Sequence, residues 1–397
     1  MRGDLEVADV FRRHGPAYRH DRAKPLGRVE TRVMSAITLC RTAALGGHVE
    51  ACGDCTHSRI AYNSCRNRHC PKCQGAARET WLAAREKDLL PTHYFHVVFT
   101  VPAEIAAMAF QNKAVVYAIL FEAAAFALRA ASRDQRHLGG ETGAVAILHT
   151  WGQALTHHPH VHCLVPGGAL ASDGRWIACK PNFLLPVHVL SRLFRRRFVE
   201  RLEEARIAGS LSFFGELAVM NDAEAFAASI TRQRHANWVV YAKPPFGSPR
   251  HVLAYLGRYT HRVAIANSRL VAMDDATVSF RWRDYRHGGA ARVMTLDANE
   301  FIRRFLLHAL PDGFHRIRHF GFLANGCRRA KLAVIRGAIA AARENGADSL
   351  HAGEQDAADG GPKPKRGALE PTACPCCGGT MRVILVMPRR KPWPDTS

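Results

Sequence analysis

Apolar and polar positions recur with two different periods along this chain, and the switches between them divide it into elements. In residues 29–45, Val33, Ile37 and Leu45 fall at helical spacing and Gly46-Gly47 supplies a stop, so residues 1–47 are predicted to be mostly helical. Residues 48–75 lose the period: Cys, Gly, Asn and Arg dominate. A segment of that kind has no core of its own and needs a metal to fold. Helical spacing returns in residues 75–90. Residues 94–101 alternate and are rich in β-branched and aromatic side chains, which predicts a strand ended by Pro102. Residues 103–133 form one long Ala-rich helical pattern. Residues 144–151 and 159–166 read as two adjacent antiparallel strands, the second ended by Gly167-Gly168. A basic helix over 188–208, a strand over 238–242 and a helix over 249–259, with Pro249 near its first turn, come next. Short strands over 261–295 turn at Asn267 and Gly288-Gly289, and residues 299–345 read as helical and basic.

The predicted fold class is α+β. An antiparallel sheet and a tyrosine-bearing helix form a central domain over 91–345, after N-terminal helices and a small zinc-binding module over 1–90. A flexible linker over 346–372, rich in Gly, Pro and Lys, leads to a Cys-containing tail over 373–397.

Composition narrows the function. Hydrophobic residues are 47% of the 397 positions and charged residues 22%, enough apolar material to exclude global disorder. No stretch approaches 18 uncharged apolar residues, so no membrane-spanning helix is expected. The start, Met1-Arg2-Gly3-Asp4-Leu5-Glu6, lacks the apolar core of a signal peptide, and the expected location is the cytoplasm. Lys and Arg number 55 against 34 Asp and Glu, a net charge of +21 that favours a polyanionic partner, nucleic acid first.

The 12 cysteines are clustered. In a reducing compartment such thiols bind metal or stay free. Cys52-x2-Cys55 and Cys70-x2-Cys73 have the spacing of one tetrahedral structural Zn²⁺ site, with each pair on a tight knuckle. Cys65, His69 and His57 lie in the same segment and could replace a ligand or hold a second metal. Four thiolates leave no open position for substrate, so this module is structural or contacts DNA. Arg66, Arg68 and Lys72, interleaved with the cysteines, are candidates for phosphate contacts. Near the C-terminus, Cys374-Pro-Cys376-Cys377 resembles half of a zinc ribbon. It needs Cys327, a histidine such as His351, or another chain to close.

The most informative stretch is His157-His158-Pro159-His160-Val161-His162. Side chains two apart on a strand share a face, so His160 and His162 can reach one ion while Val161 faces the core. A third protein ligand is expected, and Gln153, His149 and His158 lie nearby. Positions left to water suit a Lewis acid and not a structural metal. Further along, Tyr255 and Tyr259 stand four apart and share a face on a helix, where a phenol can form a covalent intermediate. Arg258 and Arg262 flank them as DNA contacts. The segment containing Arg281, Trp282 and Arg283 interleaves cations and aromatics as a single-strand groove does.

His160-Val161-His162 resembles the HUH motif and Tyr255 with Tyr259 resembles its two-tyrosine signature. With the Tyr62–Gln74 cysteine segment, the Tyr255–Arg262 helix and the Phe301–Leu323 stretch, the chain resembles the IS91-type insertion-sequence transposases over about residues 10–345. That resemblance implies rolling-circle transposition in which a tyrosine attacks single-stranded DNA at an element end. The products are a 5′-phosphotyrosine and a free 3′-OH. Mg²⁺ or Mn²⁺ on His160 and His162 would polarise the phosphate, and the second tyrosine would take the other end. It also implies partners in transposon ends and target DNA, and a bacterial, nucleoid-associated location. No Gly-x4-Gly-Lys-Ser/Thr loop is present, and the mechanism requires no nucleotide hydrolysis. A replication initiator or relaxase with the same chemistry, and a non-catalytic zinc DNA-binding protein, are the alternatives.

Overall fold

The computed structural model describes residues 5–21, 25–243, 251–252, 257, 263–344 and 373–389. The chain opens with α1 (Val7–His20) and α2 (Arg28–Leu39), then a hairpin of β1 (Gly47–Cys52) and β2 (Ser58–Tyr62), and α3 (Gln74–Glu86). Then come β3 (Tyr94–Thr100), α4 (Ala103–Gln111), α5 (Lys113–Arg133), β4 (Gly143–Trp151) and β5 (His157–Pro166), with a small ribbon of β6 (Gly168–Leu170) and β7 (Trp176–Ala178). Helices α6 (Val187–Ile207) and α7 (Ala223–His235) precede β8 (Val240–Lys243). A meander of β9 (Leu270–Met273), β10 (Thr277–Asp284) and β11 (Ala290–Asp297) leads to α8 (Ala298–Leu307), β12 (Ile317–Gly321) and α9 (Arg328–Glu344). Strand β13 (Met381–Met387) closes the described chain.

The centre is a five-stranded sheet of order β12-β4-β5-β3-β8, with every neighbouring pair antiparallel. Its two faces follow directly from strand parity. Phe95, Val97 and Phe99 of β3, Ala146 and Leu148 of β4, and Val161, Cys163 and Val165 of β5 pack against α5 and α6 through Tyr117, Phe121, Phe194 and Phe198. The opposite face carries Tyr94, Val145, Ile147 and Leu164 under Leu332, Ile335 and Ile339 of α9. The same parity puts His149, His160 and His162 on that second face.

A second core joins α1 and α2 to β10 and α8: Phe11 meets Phe305 edge-on at 5.2 Å, and Phe280 meets Phe301 at 5.8 Å. The first helices are therefore built into a core with residues some 260 positions later; Asn267 accepts the Val7 amide across that separation.

Two local expectations are corrected. The helix expected over 103–133 is two helices, because Asn112 leaves the helical region (φ −122°, ψ 44°) and its side chain bonds both backbone groups of Ser212. The helical reading of 299–345 misses β12. Pro311 and Gly313 break the helix, and residues 317–321 complete the free edge of β4. Gly321 takes a positive φ (59°) where a Cβ would collide with the Thr142 carbonyl, so the close approach requires glycine. Helix α5 is long and apolar enough to cross a membrane by length and composition alone. Eleven of its residues are buried, packed between the central sheet and α6, which is the position of a core helix on one face of a sheet covered on both.

Candidate metal centres and nucleic-acid interface

The antiparallel register sets His149 opposite His160 and Ile147 opposite His162. Residues on one face of neighbouring strands lie within side-chain reach. One ring nitrogen from each of His149, His160 and His162 falls within 4.8 Å of the others. The rings of His149 and His162 are 4.4 Å apart and those of His160 and His162 4.7 Å. His149 and His162 are buried and His160 is half-buried, so the trio opens at one edge.

Hydrogen bonds orient these rings. Nδ1 of His160 lies 2.7 Å from the His158 carbonyl. A carbonyl only accepts, so Nδ1 carries the proton and Nε2 keeps its lone pair. Nδ1 of His162 is 2.7 Å from Nε2 of His96 on β3, and those rings stack at 5.0 Å. Trp151 stacks on His149 at 4.8 Å. Burial pushes His160 down to about 4, and burial with the Lys243 charge does the same to His96. Both are neutral near pH 7, as a metal ligand and its supporting residue need to be. The third imidazole of the trio is His149. Gln153 sits in the β4–β5 connection, where its carbonyl accepts from Arg269 at 2.6 Å.

Tyr255, Tyr259, Arg258 and Arg262 lie outside the described residues. Nearby, residues 251, 252 and 257 are described. Val252 is buried in the core on the histidine-bearing face, with Val145, Ile147 and Leu164. Gly257 is helical and buried, and a Cβ there would press on Leu82 of α3.

The cysteines are sorted differently from the spacing argument. Cys52, Cys55, Cys70 and Cys73 do not form one tetrahedron. Cys70 and Cys73 join Cys65 and the distant Cys40, while Cys52 and Cys55 meet Cys374 and Cys377. The physical reason is the β1–β2 hairpin, which carries the Cys52–Cys55 knuckle away from the Cys70–Cys73 knuckle and towards β13. In the first quartet, Cys73 Sγ lies 3.5 Å from the sulfurs of both Cys40 and Cys65. A Zn–S bond of about 2.3 Å in a tetrahedron gives sulfur separations of about 3.8 Å. The donor set fits a closed structural zinc. His69 is not part of it: its Nε2 accepts the Leu310 amide at 3.3 Å, and burial pushes it down to about 3. Sequence reasoning missed Cys40, which follows α2 with no second cysteine beside it. The C-terminal pair is met within the chain by Cys52 and Cys55; Cys327 instead bonds the Gly321 and Ala324 carbonyls, and His351 lies outside the described residues.

The basic residues separate into two groups. Arg68 is spent on the Pro311 and Phe314 carbonyls and Lys72 pairs with Glu6 at 2.6 Å. On α6, Arg197 and Arg201 share the Glu122 carboxylate of α5, and Arg195 is spent on the Ala236 carbonyl. Arg66, by contrast, is exposed at a positive φ (52°) and lines a cleft with Arg32, Tyr62 and Arg389. On β10, Arg281 and Arg283 are exposed on one face while Trp282 packs on the second core.

Beside the trio, His157 donates from Nδ1 to the Ala106 carbonyl and accepts the Tyr117 hydroxyl at 2.8 Å. His308 donates to the Leu155 carbonyl and accepts from Thr150. Burial pushes their pKa values to about 4 and about 3, aided by the charges of Lys113 and, for His308, His157. Below pH 6.5 the unfolded chain binds protons that the folded chain refuses, so stability falls as pH drops from 6.5 towards 4. By pH 5 each contributes a loss of about 2 kcal/mol. Thermal unfolding followed from pH 7 to pH 5 should show the decline, and His308→Gln should flatten it. An unchanged slope in the variant would refute the assignment.

The fold and these sites define an α+β protein with a thiolate metal centre and a separate imidazole trio on a sheet face. A family model described as “Putative transposase” matches residues 143–331, and one described as “Transposase zinc-binding domain” matches residues 10–101. The chain is 60% identical over 336 residues to “Putative transposase y4qJ” of Sinorhizobium fredii, covering 84% of each protein. It is 29% identical over 303 residues to the transposase for insertion sequence element IS801 of Pseudomonas savastanoi pv. phaseolicola, covering 75% of this chain and 71% of that one. Among solved structures, the metal-bound conjugative relaxase TrwC with OriT DNA aligns over 43% of this chain and 71% of that chain, at 12% identity and a TM-score of 0.23, a likeness too small to carry an argument. The chain belongs to the IS91-type insertion-sequence transposases.

Proposed function

We propose that this transposase cleaves and rejoins single-stranded DNA at element ends through a tyrosine–phosphate intermediate, in rolling-circle transposition. The observation that carries the reading is the imidazole trio on one sheet face; Val252, three residues before Tyr255, packs in the core on that face. His149, His160 and His162 would hold a divalent ion, Mg²⁺ or Mn²⁺. Such an ion supplies Lewis-acid polarisation of the scissile phosphate. The protein's own groups do the rest. The His158 carbonyl and His96 fix ring orientation. One phenol oxygen, from Tyr255 or Tyr259, attacks phosphorus. A bond forms from phosphorus to the tyrosine oxygen as the phenol gives up its proton, the bond to the 3′ oxygen breaks, and that oxygen takes up one proton to leave as a 3′-OH, so the protons balance. The covalent ester keeps the bond energy, and the second tyrosine accepts the other strand end. Arg66, Arg281 and Arg283 are exposed and would contact backbone phosphates.

Labelled single-stranded DNA containing an element end, incubated with the protein and Mn²⁺ and run on a denaturing gel, tests this. A covalent adduct is expected, lost in Tyr255→Phe or Tyr259→Phe or in the double variant. Salt-sensitive binding with no adduct in any protein would leave a DNA-binding module and end the proposal.

A further inference from the structure

The C-terminal tail lies outside both matched segments, yet it folds onto the N-terminal hairpin. Strand β13 pairs along the whole of β1, from Gly47 opposite Met387 to Cys52 opposite Met381. Gly46 makes this possible: it holds a positive φ (69°), and a Cβ there would press on the Met387 carbonyl at 2.5 Å. The register ends by bringing two knuckles face to face. Cys52 Sγ is 3.5 Å from Cys377 Sγ, and Cys55 Sγ is 3.7 Å from Cys374 Sγ. All four sulfurs lie within 4.8 Å of one another. These separations exceed a disulfide bond of about 2.0 Å and match the edge of a zinc–thiolate tetrahedron, about 3.8 Å.

We propose that Cys52, Cys55, Cys374 and Cys377 bind a second structural zinc ion, so that each chain carries two thiolate zinc sites and its two ends are clamped together.

Two further observations support this. Backbone amides point at the sulfurs in the same i+2 pattern on both knuckles: Asp54 to Cys52 at 3.3 Å, Cys376 to Cys374 at 3.4 Å and Gly379 to Cys377 at 3.4 Å. Such donors favour thiolate over thiol, the form that binds zinc. The tail also has almost no core to hold it. Cys374 and Met381 are its buried apolar side chains among the described residues, while Val383, Ile384, Leu385 and Val386 are 40–70% exposed. A three-stranded sheet with so little buried area needs a staple. Cys55 and Cys374 are 319 positions apart, and the entropic gain from closing a loop rises with its length.

The test is cobalt substitution of the full chain. Thiolate-to-cobalt charge transfer reports sulfur ligands alone and is blind to the imidazole trio. It should saturate at two equivalents in the natural sequence and at one in Cys374→Ser/Cys377→Ser. Elemental analysis should show one zinc fewer in that variant, with circular dichroism and thermal unfolding of the main body nearly unchanged. Saturation at one equivalent in the unaltered chain, which involves no mutation and no risk of misfolding, would overturn the proposal. Cys376, whose sulfur is 3.4 Å from His57 Nδ1, is the control. Cys376→Ser should keep both equivalents, and loss of one would replace this ligand set with another.

Discussion

His149→Ala is expected to lower single-strand cleavage by about a thousandfold or more while leaving DNA binding within a few-fold of the unaltered protein. The imidazole lies on β4 opposite His160 and within 4.8 Å, nitrogen to nitrogen, of both other rings. If the trio holds the proposed ion, removing His149 takes away one of its three imidazole ligands; a Lewis-acid contribution is several kcal/mol, and about 4 kcal/mol is a thousandfold in rate. Binding is expected to be spared, because in the proposed function affinity for the strand would come from exposed cations elsewhere, and counterion release would not depend on the trio. Gln153→Ala is the parallel test of the other candidate ligand, and it keeps the backbone carbonyl that accepts from Arg269: a comparable loss of cleavage would add Gln153 to the ion's ligands, and unchanged cleavage would leave the site to the imidazoles. Cleavage by His149→Ala within tenfold of normal, measured as covalent adduct at saturating Mn²⁺, would remove His149 from the centre.

A second large effect is expected at Cys40, which no motif marks. Cys40→Ser should be as damaging as Cys70→Ser, with loss of one zinc by elemental analysis and failure to fold, or a large drop in unfolding temperature. Cys40 and Cys70 are both buried in the core shared by α1, α2, β10 and α8. Structural zinc contributes about 10–16 kcal/mol to small metal-stabilised folds, as much as the whole stability of a typical domain. The loss therefore spreads from the knuckle into that core. A Cys40→Ser protein with full zinc content and normal unfolding would show that the quartet closes without it.

Much of the architecture can be read one segment at a time. The β4–β5 pair was legible because its alternation is local, and so was the placement of His160 and His162 on one face, because parity on a strand follows from the pleat. Knuckles are equally local, since two thiols three apart on a tight turn announce themselves whatever surrounds them. Strand β12 was not legible: Ile317-Arg318-His319-Phe320 has too few apolar positions to declare a strand and extends only because the free edge of β4 needs hydrogen-bond partners. The split at Asn112 likewise depends on Ser212, a partner 100 positions away. Of the basic residues, Arg68 and Lys72 looked like DNA contacts by position, but the first is occupied by backbone carbonyls and the second by Glu6.

From the order of residues alone come the α+β class, the histidine pair on one strand face and the presence of cysteine clusters fit for metal, because each rests on a period or spacing within a few positions. Only the folded chain decides which thiols share a site, that His149 completes the trio, and that the tail returns to the hairpin. Those outcomes depend on pairings between residues tens to hundreds of positions apart. Such pairings are selected by sheet register and by the shared burial of side chains that no single segment contains.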